Sequence, residues 1–448
     1  MLRISKPILS LFVVGLVYGY CLIYSTNSIH EALVSNTATI LYIAITGVLS
    51  LTYAFKLKIE RLRNSIFVCL AGVAGPLGIL IASHSMGYAE KMFWVADSIN
   101  THHPGALFFF SFISGESQLP IQSLWENLTP GAVTHAWVAL WYLLVEPSAV
   151  VSTIALVFLK FVTGLILIKL LKEFFDRFCE PPGSSAYLAT AIFFWVPTVT
   201  FHTIVLYKEA MVHLAFTCVL LCIFRLLKRQ HLGSIGLLIL SISVLLIERF
   251  YVAATLLPLL LFVSWQALSR RNILLSVLVV GVIIGVVSLY GAEISPLELM
   301  AKIKQQRLYH ASFSDVSFKF NYEIPYIVAL GKALFTPIWS PDKIKMFTGL
   351  STLVTWGAFV HYFVVLTYLV GSYRLARRGS TFQMLILQSP LLIFLLFAAY
   401  ISPWAGRVRD SYYPLFVIFA ATYWGLMIQF SINCIKIKLQ QSDPTRIG

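Results

Sequence analysis

Apolar runs of about 18–22 residues recur along this chain, and no single water-facing core can hide them all. Each run is long enough to cross a bilayer as a helix. The chain is 58% hydrophobic and only 12% charged, against about 25% charged in soluble domains. An outer-membrane barrel would alternate apolar and polar residues along each strand, and these runs are apolar throughout. The expected fold class is therefore an all-α polytopic membrane protein.

Short basic tracts between the runs set the expected topology through the positive-inside bias. Arg3 and Lys6 precede the first run, and "KLKIERLR", Lys56 to Arg63, separates the second from the third. Those tracts, with "KLLKEFFDR", Lys228-Arg229, Arg270-Arg271, "RLARR" and Lys436/Lys438, fall on one side. Spans are expected at about 7–25, 38–55, 65–83, 148–171, 183–203, 209–227, 234–248, 252–268, 272–290, 349–370, 384–401 and 412–432. That gives about twelve spans with both termini cytoplasmic. Two sizeable exterior regions remain, 84–147 and 291–348, both expected to carry interfacial helices or turns. The N-terminal "MLRISKPILSLFVVGLVYGYCLIYS" lacks a small-residue cleavage site and reads as a first anchor. The organisation is thus an N-terminal hairpin (1–64), a core (65–290), the second exterior region (291–348), and C-terminal spans with a short tail (349–448). A bacterial inner membrane fits this layout.

The net charge of +14 is not a nucleic-acid signal, because most Lys and Arg lie in the tracts that fix topology. The six cysteines show no zinc-site spacing and are expected to be free, packed thiols.

In such a chain the informative residues are charges where the topology does not want them. In "FWVADSINTHHPG", Asp97 sits among aromatics in the first exterior region. Partly desolvated at the membrane surface, its carboxylate would be a stronger base than in water. The alternative is an N-cap. His102 and His103, with His84 and His135 nearby, are candidate substrate contacts. With Asp97 or Glu116 they offer the one candidate for a divalent metal, without recognised metal-motif spacing. No other cofactor is called for. Lys208-Glu209 opens a span from the exterior side. Glu209 suits the start of a helix, whereas an exterior Lys calls for an anionic partner. "ERFY" places Glu248, Arg249 and Tyr251 at a hairpin turn, where an Arg fork matches phosphate geometry. Arg407 and Arg409 lie outside, before the last span, with Asp410 as a local partner for one of them. Lys160, in mid-span, either pairs inside the bundle or snorkels.

A base beside the membrane and several cations at helix ends suit a reaction on an anionic, membrane-embedded substrate such as a polyprenyl-phosphate-linked sugar. The order "VADSINTHHPG", "THAWVALWYLLVEPSAVV", "VPTVTFHTIVLYKEA", "ERFYVAATLLP" resembles the GT-C-type multi-span glycosyltransferases of the protein-mannosyltransferase-like group, over about residues 65–270. The resemblance implies Asp97 as catalytic base. It also implies Lys208, Arg249, Arg407 and Arg409 against the lipid phosphate, and a glycan, lipid or protein acceptor on the exterior face. Two departures stand out: an extra N-terminal hairpin, and no acidic neighbour beside Asp97. Two other classes fit less of the pattern. A polysaccharide polymerase or ligase would rely on Arg407 and Arg409 gripping a diphosphate. A lipid-linked sugar flippase would need a polar path through the bundle, and Lys160 is one of few ionisable residues deep in a span.

Overall fold

A computed structural model describes residues 101–116, 131–178, 184–196, 208–227, 232–269, 326–335, 350–378, 381–401 and 409–442, with four isolated positions. Of the described residues 93% are helical, and none is in a strand. Eleven helices are described: α1 (His103–Ile113), α2 (Ala132–Leu144), α3 (Ala149–Phe178), α4 (Ser184–Trp195), α5 (Glu209–Leu227), α6 (Leu232–Thr255), α7 (Leu257–Ser269), α8 (Tyr326–Phe335), α9 (Leu350–Arg378), α10 (Thr381–Ile401) and α11 (Tyr413–Ser442). Five of these, α3, α5, α6, α9 and α11, are long and apolar enough to cross a membrane. The chain is a membrane protein of helical build.

α5 is the hub. It is buried along nearly its whole length and packs against α3, α6, α7 and α11. A helix apolar on every face belongs inside a bundle, because no side of it gains from water. Phe174 of α3 shows how the bundle closes: its ring meets Phe224 of α5 and Phe419 of α11, both edge-on. The periphery is apolar too. On α9, Phe359, Phe363, Leu366, Val370 and Tyr373 point outward. Such a stripe would be an aggregation hazard in water and is an ordinary lipid-facing surface in a bilayer.

α1 and α2 precede the first described long span and form a pair, with α2 also resting on α3 and α6. α2 buries Val138, Trp141 and Tyr142 while Leu140, Leu143 and Leu144 face out. It is therefore a docked helix with a second apolar face. A helix lying on a membrane surface would instead show a polar outer face. α6 runs through the stretch where the sequence places a turn. Its one departure from helical geometry is Arg249, at φ −151° and ψ 82°.

α9 and α11 approach closely at Gly371. A Cβ there would lie 2.0 Å from the Phe419 carbonyl oxygen and 2.8 Å from Thr422 Oγ1. Small residues at such crossings let backbones meet. Gly371→Ala is expected to destabilise the bundle by about 1–3 kcal/mol. Gly236→Ala, where nothing lies within 4 Å, should be neutral or slightly stabilising. Thermal unfolding of the purified protein checks both.

Candidate functional site

Buried charged side chains gather near the starts of α5 and α11, and two of them, Glu248 and Arg249, come from the last turns of α6. Glu209 is the first residue of α5 and is fully buried. Its carboxylate suits the positive end of that helix, yet an unpaired buried carboxylate would cost several kcal/mol. Arg249 of α6 supplies the counter-charge: its Nη2 donates to Glu209 Oε1. Its Nη1 donates to the Tyr251 hydroxyl, and its guanidinium lies 5.7 Å from that ring's centre. The extended backbone at Arg249 makes this possible. In a helix, neighbouring side chains differ by about 100° around the axis, whereas across an extended residue they point to opposite sides. Arg249 accordingly faces α5 while Glu248 faces α2.

Glu248 is also fully buried. It accepts from the Thr134 backbone N–H at 2.7 Å and from Thr134 Oγ1 at 3.0 Å. One residue further along α2, His135 shares a 2.8 Å hydrogen bond, through Nε2, with Nδ1 of His102 at the start of α1. His135 fits because Gly105 and Gly131 flank its ring. A Cβ at Gly105 would sit 2.4 Å from Nδ1, and one at Gly131 3.0 Å from Nε2. Gly131 also has φ +111°, a conformation that favours glycine. Burial, the neighbouring His102 and the charge of Lys208 together push the His135 pKa down to about 3. Lys208 is close enough to Glu248 for its charge to bear there as well.

The arrangement has a polarity. Both carboxylates, Glu209 and Glu248, are withdrawn from the surface and engaged by donors. Lys208 is partly exposed and Tyr251 is exposed. A visiting group therefore meets an ammonium and a phenol first, with the guanidinium behind them. That favours an anion carrying hydrogen-bond acceptors.

A second knot lies alongside. Asp410 and Arg409 pair at 2.7 Å just before α11. Arg409 Nη1 also donates to the Ala333 and Leu334 carbonyls at the end of α8, at 3.3 Å and 3.0 Å. His361 Nε2 donates to the same Leu334 carbonyl at 2.9 Å, leaving Nδ1 facing the Tyr413 hydroxyl at 3.3 Å. His213 Nε2 donates to the Asp410 carbonyl at 2.5 Å. Lys160 does not snorkel: it is buried, donates to the Phe194 carbonyl at 3.4 Å, and lies 5.5 Å from the centre of the Phe193 ring. A 3.0 Å hydrogen bond between the Thr255 and Tyr412 hydroxyls ties the end of α6 to the start of α11.

Of the residues singled out from the sequence, Lys208, Glu209, Arg249, Tyr251 and His102 come together through these contacts. His103 turns away to the Tyr142 hydroxyl at 3.1 Å. Arg409 is sealed in the interior and its guanidinium holds α8 against α11, so a direct grip on a substrate phosphate is not its place in this structure. Asp97 and Arg407 lie outside the described residues. Among the described residues, no group of three or more His, Cys, Asp or Glu side chains is arranged to hold a metal ion. Sequence reasoning missed His213, His361 and Thr134. His213 had a signal, because it lies four residues after Glu209 and so shares its helix face. Compared with known proteins, the chain matches no protein family, no curated sequence and no solved structure.

The histidine pair makes the docking of α1 on α2 sensitive to pH. Packing pushes the His135 pKa down from the ordinary 6.5 to about 3, and burial lowers the His103 pKa in the same direction. The released state binds the extra proton, so docking is fully stable above pH 6.5 and weakens as pH falls from there toward 3. At pH 5 the docking equilibrium should be weaker than at pH 8, by up to about thirtyfold, the limit reached when release returns His135 fully to water. Hydrogen exchange of segments 103–113 and 132–144, corrected for intrinsic rates, reads this out, and His135→Gln should flatten the profile.

Proposed function

We propose that the protein is a membrane glycosyltransferase that moves a sugar from a polyprenyl-phosphate donor to an acceptor at the exterior face of the membrane. The observation that carries this reading is the convergence of Lys208, Arg249 and Tyr251 at one end of an apolar bundle, with the nearby carboxylates withdrawn behind them. An isoprenoid tail matches the lipid-facing surface, and its phosphate matches the cations. On this reading the chain crosses a bacterial inner membrane about twelve times, with both termini cytoplasmic and the cluster facing the periplasm.

The chemistry asks for two things. A base removes the proton from the acceptor hydroxyl as its oxygen bonds to the sugar's anomeric carbon. The bond from that carbon to the phosphate oxygen then breaks, and cations stabilise the negative charge left on the polyprenyl phosphate. Asp97, five positions before His102, is the proposed base. Lys208 and Arg249 are the proposed phosphate groups, with Arg407 as a further cation. Tyr251, His102 and His103 are assigned to the sugar and acceptor side, and Glu209 holds Arg249 in place. The acceptor is a glycan, a lipid or a protein hydroxyl. A polymerase or ligase relying on an exterior pair of arginines is less favoured, because Arg409 already spends its donors on Asp410 and on α8.

Membranes supplied with a panel of labelled polyprenyl-phosphate sugars test the reading. Asp97→Asn should lower transfer by about 100-fold or more at normal protein level. Lys208→Ala should weaken donor affinity by about tenfold. Wild-type transfer by Asp97→Asn would remove Asp97 as base, and unchanged donor affinity in Lys208→Ala would remove the phosphate assignment.

A further inference from the structure

Glu248 has no part in the chemistry proposed above, yet it is fully buried beside those groups and is doubly engaged by one residue of another helix. Thr134 is the third residue of α2. Its N–H is among the four that a helix start leaves without an intrahelical partner. The residue before α2 is Gly131, which has no side chain to serve as a cap. The capping group therefore arrives from α6: one Glu248 oxygen takes the orphan N–H and the other takes the threonine hydroxyl. A carboxylate at that position also meets the positive end of the α2 dipole.

The next residue of α6 is Arg249, which reaches α5 through Glu209. Two consecutive side chains, splayed by the extended backbone at Arg249, thus hold two different elements. On one side is α2, which carries His135 and through it His102. On the other is the start of α5, where Lys208 stands. Charge links the two sides directly, since Lys208 bears on both Glu248 and His135.

We infer that Glu248 is a positioning residue. By capping α2 it sets the α1–α2 pair in register with Lys208 and Arg249, so the lipid-phosphate site is complete only while α2 is docked. The ligand in this statement rests on the glycosyl-transfer reading, whereas the cap itself does not. Charge is not what Glu248 contributes to the reaction. A neutral amide of the same shape keeps an acceptor for the Thr134 N–H and a donor for its hydroxyl oxygen, so Glu248→Gln should retain most of the docking that Glu248→Ala loses.

The test uses the full-length protein in lipid nanodiscs, with undecaprenyl phosphate as the probe. Two quantities are read: hydrogen exchange over residues 132–144 and affinity for the probe. Glu248→Ala should raise exchange at the start of α2 by about tenfold and weaken probe binding by a similar factor. Thr134→Val should act in the same direction, and Thr134→Ser and Glu248→Gln should stay close to wild type. Should Glu248→Ala fail to fold, the Thr134 pair carries the test alone. Lys208→Ala should weaken probe binding without changing exchange in α2. Unchanged exchange in both Glu248→Ala and Thr134→Val would overturn the cap. Raised exchange with wild-type probe affinity, while Lys208→Ala still weakens binding, would overturn the positioning role and leave the phosphate reading standing. If Lys208→Ala also binds the probe like wild type, the phosphate reading falls and the positioning claim falls with it, even where the exchange data support the cap. Glu248→Gln as impaired as Glu248→Ala would instead require the charge itself and overturn the neutral positioning role.

Discussion

Glu209 is shut off from solvent and Arg249 nearly so, and each would be intolerable there without the other. That constraint shapes the surrounding backbone. Glu209 is fixed by its place at the start of α5, so Arg249 must leave the helical path of α6 to meet it. Once α6 opens at that residue, Glu248 is turned the opposite way and becomes available to α2. One charge requirement thus accounts for the break in α6, the docking of α2, and the nearness of Lys208 to both.

The two polar knots solve the same problem of desolvated charge differently. Around Arg409 the contacts run to Asp410 and to carbonyls at the end of α8, and the side chain is fully buried. That knot ties α8, α9 and α11, and its charged side chains are buried. Around Arg249 the chain of contacts runs outward instead, from a buried carboxylate through a guanidinium to the exposed Tyr251, with Lys208 beside it. The difference in direction is what makes one a brace and the other a candidate site. Buried ion pairs often add little net stability relative to a well-packed apolar core. Their presence in a bundle this apolar therefore points to positioning more than to strength.

Much of the scaffold was legible in the sequence because bilayer spans are written in runs of one kind of residue. The spans expected at about 148–171, 209–227 and 412–432 correspond to α3, α5 and α11. The break at Arg249 was legible as a polar interruption in "LLIERFYVAATLLP". Partnerships were not legible, because they cross long stretches of chain. Nothing local pairs Glu248 with Thr134, 114 positions away, or His213 with the Asp410 carbonyl, 197 away. Arg409 illustrates the limit from the other side. Its position in a loop before a span read as exterior and available, and only the packing of α8 shows both of its faces taken. His102 and His135 invited a metal reading by composition; the contact between them is a hydrogen bond, and two glycines flank the His135 ring.

The central claim is that the Glu209–Arg249 pair organises this end of the bundle. A double-mutant cycle with Glu209→Gln and Arg249→Met, read by unfolding of the full-length protein in one membrane mimetic, tests it most directly. The account predicts that each single change costs about 3–5 kcal/mol, while the double change costs less than their sum by at least about 1.5 kcal/mol, because neither charge is then left alone. Costs that add to within about 0.5 kcal/mol would mean the two residues act independently. The break at Arg249, the docking of α2 and the site built on them would then need another cause.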